Sequence, residues 1–235
     1  MAARLAILRA VTLDVGGTWL TVRPSVGHVY AEMAAAWTGR RFEPARLTRQ
    51  FVHAWRRRPD FDHSRAAWME IVDETFAGLV SAPPSRTFFG DLYRRFGQPD
   101  VWRVDPALPE LLGWMRSRGL RVGLISNWDL RLRPLLRALG LHDAFDVIVI
   151  SAEVGFAKPS PAIYLRAADQ WNLNPHEILH VGDELLHDFR GARQAGFRAV
   201  WVRPGLAGPT HMAIGSLSQL PDWLRQTGLA SRMGT

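Results

Sequence analysis

The chain has 235 residues, of which 47% are hydrophobic, 22% are charged and none is cysteine. These values are typical of a globular protein with a sizeable core, and they exclude a disulfide framework and thiol catalysis. No apolar run approaches the ~20 residues of a membrane span, and the run Leu5–Leu8 is too short for a signal peptide. We therefore expect no membrane association and a cytoplasmic location.

The net charge of +7 raises the question of nucleic-acid binding. The basic residues are scattered singly or in short groups such as Arg56–Arg58, and they form no continuous stripe. We therefore expect no specific nucleic-acid binding, and interpret the charge as solvated surface that attracts anionic substrates. Of the 29 basic residues only Lys158 is a lysine, which makes it a candidate for a role that arginine cannot fill.

The first predicted element is a short apolar strand that ends in a carboxylate. Val11–Leu13 precedes Asp14, and two glycines and a threonine follow within four residues. An apolar run closed by glycines indicates a buried strand that enters a tight turn. The carboxyl end of a strand in a parallel sheet is where ligands bind. The N–H groups of Val15–Thr18 would then lie close to a bound anion, although this pattern alone is often only a turn.

Residues 21–103 predict a helical segment. Apolar residues recur there at helical spacing, and we find no strong strand pattern. The four predicted faces are Val29, Met33 and Trp37; Leu47, Phe51 and Trp55; Trp68, Ile71, Val72 and Phe76; and Phe88, Leu92, Tyr93 and Phe96. We interpret these aromatic residues as the core of a helical bundle.

The remainder of the chain alternates between predicted helices and strands. The predicted strands are 120–126, 147–150, 178–181 and 198–202, and the predicted helices are 108–118, 130–139, 162–171, 188–195 and 216–226. Such alternation predicts an α/β fold with a doubly wound parallel sheet. We expect residues 1–20 and 104–235 to form this core domain, and residues 21–103 to form a helical domain inserted as a cap over Asp14.

Polar groups stand at the ends of the predicted strands. Asp14 follows the first strand, Ser126 and Asn127 close the second, and Asp183 follows the strand 178–181. Lys158 lies in the loop beyond the strand 147–150. Each could have an ordinary role as a helix cap or a surface loop residue, but together they predict one polar cluster at one sheet edge.

This constellation resembles the haloacid dehalogenase superfamily of hydrolases. Residues 11–18 match its first motif with one departure, Ser126 its second, Lys158 its third and Gly182–Asp188 its fourth, and the insert is similar to its C1-type helical cap. The stretch Ser126–Asp129 is most similar to the branch named after a rhythmically expressed fly protein. The resemblance covers nearly the whole chain.

The resemblance implies a set of site residues. It implies that Asp14, Ser126 and Lys158 are catalytic, with Asp14 forming an aspartyl-phosphate. It implies a phosphate site formed by Val15, Gly16, Gly17, Thr18, Ser126, Asn127 and Lys158. It also implies that Mg²⁺ is held by Asp14, the Gly16 carbonyl, Asp183 and Asp188, where Asp188 would orient Lys158 or a metal-bound water. The expected partner is a small phosphorylated substrate, and the oligomeric state stays open.

The departure is Gly16, where phosphatases of this superfamily usually have a second aspartate as general acid. Glycine keeps its carbonyl for the metal but cannot transfer a proton, and loss of such a group typically costs 10²–10⁴-fold in rate. Three alternatives follow: a phosphatase that uses another group or good leaving groups, a different reaction, or a nearly inactive binder.

Two groups of enzymes in this superfamily also lack the second aspartate, and comparison with them narrows the three alternatives. Phosphonoacetaldehyde hydrolases use a cap lysine, and residues 21–103 contain no lysine. Haloacid dehalogenases work without metal and lack the pair that Asp183 and Asp188 form here. We therefore expect a Mg²⁺-dependent phosphatase; the alternatives are a weak or inactive module that binds a phosphometabolite or a protein, and a haloacid dehalogenase.

Overall fold

A computed structural model describes residues 7–59 and 61–229. Residues 1–6, 60 and 230–235, which include parts of both predicted domains and half of the run Leu5–Leu8, lie outside the described residues. The strands of the described part are β1 Ala10–Leu13, β2 Leu20–Val22, β3 Trp102–Val104, β4 Arg121–Ser126, β5 Val147–Ile150, β6 Ile178–Gly182, β7 Arg198–Val202 and β8 Ala213–Ile214.

The α-helices range from four to thirteen residues in length. They are α1 Val26–Thr38, α2 Pro44–Arg56, α3 Arg65–Thr75, α4 Phe89–Arg95, α5 Leu108–Ser117, α6 Leu132–Ala138, α7 Ser151–Val154, α8 Pro161–Trp171, α9 Gly191–Gln194 and α10 Leu220–Gln226. Within the described residues no helix is both long and apolar enough to span a membrane.

A six-stranded parallel sheet organises the chain, in the order β5-β4-β1-β6-β7-β8. The chain adds β4 and β5 on one side of β1 and then β6, β7 and β8 on the other. The strand order therefore reverses beside β1, which is where ligands bind in open α/β sheets. This topology confirms the predicted α/β class and the doubly wound parallel sheet.

The chain divides into two compact units. The first, here called the sheet unit, runs to Thr21, resumes over Val104–Trp128 and again from Leu141. The second, here called the helical unit, comprises Val22–Arg103 and Asp129–Gly140. The sequence placed residues 129–140 in the core domain, whereas the structure groups them with the helices.

Contacts of Arg131 explain this grouping. Its guanidinium donates to the Tyr93 carbonyl at 2.6 Å, lies 3.5 Å from the centre of the Tyr93 ring and pairs with Asp129 at 2.6 Å. Arg131 therefore attaches this stretch to α4 of the helical unit. The placement of the helical segment as a cap over Asp14 stays a prediction.

The helical unit has an aromatic core. Phe76 is fully buried; its ring is stacked on Tyr30 at 5.8 Å and lies edge-on to Phe88 at 5.2 Å. Trp37, which the helical spacing predicted in this core, is instead 52% exposed. It lies in the last turn of α1, and its indole N–H donates to Asp91 at 3.0 Å.

Candidate active site

Three neighbouring strands bring the predicted polar groups together. In the sheet β1 lies between β4 and β6, and Leu13 is in register with both Leu124 and Val181. The residues that follow these positions therefore meet at the carboxyl edge. Ser126 donates to one oxygen of Asp14, Oδ1, over a long 3.4 Å, and the Val15 N–H also donates to the Asp14 carboxyl.

Lys158 lies between two buried carboxylates. Its Nζ is 2.5 Å from Asp14 Oδ1 and 2.5 Å from Asp188 Oδ1, and Lys158 itself is 4% exposed. Burial alone would lower the lysine pKa, but the two carboxylates outweigh burial and raise the pKa well above its usual range. The side chain is therefore a fixed ammonium group.

Asn127 holds the backbone of Lys158. Its side-chain amide nitrogen donates to the Lys158 carbonyl at 2.9 Å, and its side-chain oxygen accepts from the Lys158 N–H at 2.7 Å. Both ends of the amide are therefore engaged by one residue. In this arrangement the Asn127 side chain fixes the loop that positions Lys158.

Asp188 accepts hydrogen bonds on both of its oxygens. Oδ1 faces Lys158 and, at 3.1 Å, His180 Nε2, while Oδ2 accepts from the Glu184 N–H at 2.9 Å. Burial would raise the Asp188 pKa, but the Lys158 charge and the His180 hydrogen bond hold it well below its usual range. Gly182 permits this approach, because a Cβ there would lie 2.2 Å from the Asp188 carboxyl carbon.

The helix predicted over 188–195 begins three residues earlier, and its first turn is π-helical rather than α-helical. Residues Leu185–Arg190 form a π-helical turn, and α9 follows it. The N–H groups of Asp188 and Phe189 both donate to the Glu184 carbonyl, at 2.8 and 3.2 Å. Such turns occur frequently at functional sites, and this one lets the Asp188 side chain turn back onto the Glu184 N–H.

Asp183 and Asp14 are linked by Thr18. The Thr18 hydroxyl is 3.1 Å from Asp14 Oδ2 and 2.9 Å from Asp183 Oδ1. The Thr18 hydroxyl has a single proton and can donate it fully to only one of the two carboxylates. The pair therefore favours an additional proton or a cation. Gly17 is required here, because its φ is +82° and a Cβ would lie 2.3 Å from an Asp183 oxygen.

The three carboxylates form an acidic cluster that suits a hard divalent cation. One oxygen each from Asp14, Asp183 and Asp188 lies within 4.8 Å of the others. Burial raises the pKa of Asp14 to about 6, although Lys158 partly offsets it, and burial together with the charges of Asp14 and Asp188 raises that of Asp183 to about 7. A single ammonium leaves two negative charges uncompensated when all three are ionised, which an oxygen-liganded dication would balance.

Gly16 lies in the turn between β1 and β2. The turn is closed by a hydrogen bond from the Gly17 N–H to the Leu20 carbonyl at 3.1 Å, while the Val15 carbonyl accepts from Trp19 and Leu20. Val15 is fully buried, and its N–H donates to the Asp14 carboxyl. Gly16 itself is exposed.

Comparison with known proteins agrees with this arrangement. The family model of haloacid dehalogenase-like hydrolases matches residues 8–196. The chain belongs to the haloacid dehalogenase-like hydrolase family.

Relatives of this hydrolase extend over most of its length. Human haloacid dehalogenase-like hydrolase domain-containing protein 3 is 36% identical over 213 residues, which cover 86% of this chain and 84% of the human protein. The rhythmically expressed gene 2 protein of Drosophila melanogaster is 29% identical over 84% of each chain. The resemblance to the superfamily and to the fly protein is therefore confirmed.

A solved structure agrees with the fold of this haloacid dehalogenase-like hydrolase. The crystal structure of a HAD phosphatase from Thermococcus onnurineus has a TM-score of 0.67 and 26% sequence identity, and the match covers 92% of this chain and 98% of that one. The core seen here is thus that of a known hydrolase fold.

Sequence reasoning missed two polar residues of this hydrolase. Thr12 and His180 face each other in register on β1 and β6, both are fully buried, and Thr12 Oγ1 is 2.9 Å from His180 Nδ1. Burial lowers the His180 pKa, so the ring is neutral and has one proton. The Asp188 carboxylate needs a donor, which places that proton on Nε2, and the Thr12 hydroxyl then donates to Nδ1. The sequence signal that could have identified them is a polar residue inside each of two apolar strands.

Proposed function

We propose that this hydrolase is a Mg²⁺-dependent phosphatase that acts on a small phosphorylated metabolite through an aspartyl-phosphate on Asp14. The observation that supports it most is the buried cluster in which Lys158 bridges Asp14 and Asp188 while Asp183 lies beside Asp14. A buried charge cluster of this kind costs stability unless it is paired, and it is typical of functional sites.

Each residue of the cluster has a role in the proposed reaction. Asp14 attacks phosphorus, a new P–O bond forms to its carboxylate, and the ester P–O bond breaks with the electron pair on the leaving oxygen. Lys158 and the Ser126 hydroxyl hold the phosphoryl oxygens, together with the N–H groups of Val15–Thr18. Water then cleaves the aspartyl-phosphate, which releases phosphate and restores Asp14.

The residues present fit the metal that this proposal includes. Asp14, Asp183, Asp188 and the Gly16 carbonyl would hold Mg²⁺, which would offset the charge of the phosphate dianion. Asp188 also holds the Lys158 ammonium group, and Asn127 fixes the backbone of that lysine. These two contacts orient the lysine before substrate binds.

A hydrolysis screen tests the proposal. Phosphorylated metabolites are incubated with the protein with and without Mg²⁺, and phosphate release is measured; we expect release only with Mg²⁺. The Asp14→Asn variant is the control and should release none. Metal binding is tested separately by calorimetry, in which Asp183→Asn should weaken Mg²⁺ binding severely; equal affinity in both proteins would refute the metal site.

The same screen tests the two alternative functions, of which only the first has support from a residue of the site. Gly16 leaves the reaction without its usual acid, which favours a weakly active module that binds a phosphometabolite or a protein. Binding of phosphorylated compounds without turnover would support that reading. Release of halide from 2-haloacids without metal would instead identify a dehalogenase.

A further inference from the structure

An aromatic ring lies against Gly16. A Cβ on Gly16 would lie 3.2 Å from one ring carbon of Trp128 and 4.0 Å from another. Gly16 does not have the left-handed φ that restricts a position to glycine. The backbone at position 16 therefore tolerates a residue other than glycine. The Trp128 indole lies where the side chain of such a residue would begin.

Trp128 is anchored through its backbone. Its N–H donates to the hydroxyl of the buried Ser151 at 3.0 Å, and that hydroxyl lies 3.1 Å from the Trp128 carbonyl, to which it donates. The Ala152 N–H donates to the same carbonyl at 3.3 Å. The indole is only partly buried. It is thus attached at a fixed point beside the turn that follows Asp14, and part of its surface is accessible.

No proton donor occupies position 16, and the groups around Asp14 in the described part of the chain are already engaged. Lys158 is shared between two carboxylates, and the oxygens of Asp188 accept from Lys158, His180 and Glu184. Asp183, which accepts from Thr18, would be a deprotonated ligand when Mg²⁺ is bound. An indole has one weak N–H donor and no acidic proton. The leaving oxygen must therefore depart with little protonation, which requires a weakly basic leaving group.

Building on the proposed phosphatase, we propose that Trp128 determines specificity and that the substrates are phosphate monoesters of planar, weakly basic hydroxyl groups, above all aryl phosphates. The indole packs against the flat leaving group, as aromatic pairs do in offset or edge-to-face geometry. The ester P–O bond breaks to give a phenolate, which takes its proton from water after the step, while Asp14 forms the new bond to phosphorus.

A matched pair of substrates tests the preference. Phenyl and cyclohexyl phosphate have similar size, but only phenol is planar and weakly basic. We expect kcat/KM for phenyl phosphate to exceed that for cyclohexyl phosphate by at least about 100-fold, since the alkoxide lacks a general acid. Trp128→Leu should lower kcat/KM for phenyl phosphate by about two- to tenfold and leave cyclohexyl phosphate nearly unchanged, and Trp128→Phe should restore the preference.

Binding measurements separate this inference from the proposed hydrolysis. Calorimetry with phenylphosphonate and cyclohexylphosphonate, which are not hydrolysed, should show tighter binding of the phenyl compound, and Trp128→Leu should abolish the difference. That result without turnover of any ester would reject the phosphatase and uphold the aryl site. Equal turnover of both esters, or equal damage to both by Trp128→Leu with thermal unfolding unchanged, would overturn the inference and leave the phosphatase intact.

A double variant tests whether the indole and an acid exclude each other. Gly16→Asp alone should gain little on cyclohexyl phosphate, because its Cβ would lie 3.2 Å from the Trp128 ring, which crowds the new side chain. Gly16→Asp combined with Trp128→Ala should gain toward the ~10²-fold low end of acid–base catalysis. A full gain from Gly16→Asp alone, in a folded variant that still binds Mg²⁺, would show that Trp128 does not crowd that side chain and would overturn the inference.

Discussion

The two units treat buried polar groups differently. The sheet unit buries an ammonium, two carboxylates and an imidazole, with hydroxyls between them; these residues are Thr12, Asp14, Thr18, Ser126, Ser151, Lys158, His180 and Asp188. In the helical unit the buried polar residues that the structure describes are Thr75, bonded to the Ile71 carbonyl at 2.7 Å, and Asp129, paired with Arg131. The rest of that core is aliphatic and aromatic.

The difference separates chemistry from stability. Buried charges are costly unless they are paired, and clusters of this kind in the sheet unit are typical of functional sites. Aromatic packing in the helical unit contributes chiefly to the free energy of folding. Substitutions in the first unit should therefore change turnover more than stability, and substitutions in the second should do the reverse.

The largest effect is expected from Asp14→Asn. This change removes the proposed nucleophile, and loss of a nucleophile costs on the order of 10⁴-fold or more in kcat. Phosphate release is the measurement, and thermal unfolding checks that the variant folds. Turnover within about tenfold of the parent would place the reacting group elsewhere.

In the helical unit we expect Phe76→Ala to act on stability. Phe76 is fully buried among aromatic rings, and such a truncation costs about 3–5 kcal/mol. Urea unfolding measures the loss, while activity per folded molecule should stay close to that of the parent. Trp37→Ala is the matched control: Trp37 is 52% exposed, so its loss should cost less than about 0.5 kcal/mol. Similar costs for the two would argue against the aromatic core.

His180→Leu should lower kcat by about 10- to 100-fold, the range typical of residues that hold a metal ligand, here the proposed ligand Asp188. Leucine removes the donor to Asp188, whose hold on Lys158 then loosens. His180→Gln keeps an N–H at a similar position and should restore much of the loss. ¹⁵N NMR of His180 should show the proton on Nε2; a proton on Nδ1 would contradict the deduced tautomer.

In the metal-free protein, protonation of Asp14 and Asp183 should stabilise the sheet unit. The pKa values of Asp14 and Asp183 are raised to about 6 and about 7 from 3.8. The folded state binds these protons more tightly than the unfolded state, so the stabilisation is complete below pH 3.8 and is lost as the pH rises through about 6 and about 7. The melting temperature in chelator should fall over this window relative to that of Asp183→Asn, and Mg²⁺ should restore it. A constant difference between the two proteins would be evidence against the raised pKa values.

The smallest effect on stability is expected from an ion pair of the helical unit. Its pH dependence is opposite to that of Asp14 and Asp183, because acid removes the stabilisation. Arg58 donates to Glu74 at 2.7 Å and lowers the Glu74 pKa from 4.5. This stabilisation is present above the unfolded pKa and is lost as the pH falls through the lowered value. Because the pair is partly exposed, Glu74→Gln should cost less than about 1 kcal/mol at neutral pH and nothing in strong acid. A cost that persists in acid would assign the effect to packing.

The sequence predicted the sheet well because apolar runs of parallel strands are distinctive. The bounds of β5 and β7 are those predicted, and β4 and β6 differ by one residue. The strands β2 and β3 were missed because three residues carry no period. The exposure of Trp37 was also unpredictable, because helical spacing gives a face but not the length of the helix that is covered.

The site was predictable in its charged groups and not in their supports. Asp14, Ser126, Lys158 and Asp183 follow from the rule that ligands meet at the carboxyl edge of a parallel sheet. The pairing of Thr12 with His180 depends on the register of two strands 168 positions apart in the chain. The contact of Trp128 with Gly16 depends on two loop conformations, which residue spacing cannot supply.

The burial of Lys158 has a practical consequence. Reagents that acylate the ε-amino group of lysine have a single lysine to modify in this chain, and it is 4% exposed. Its labelling rate is therefore a reporter of how often the site opens. Mass spectrometry of that one position would follow opening in the unmodified protein, without an introduced probe.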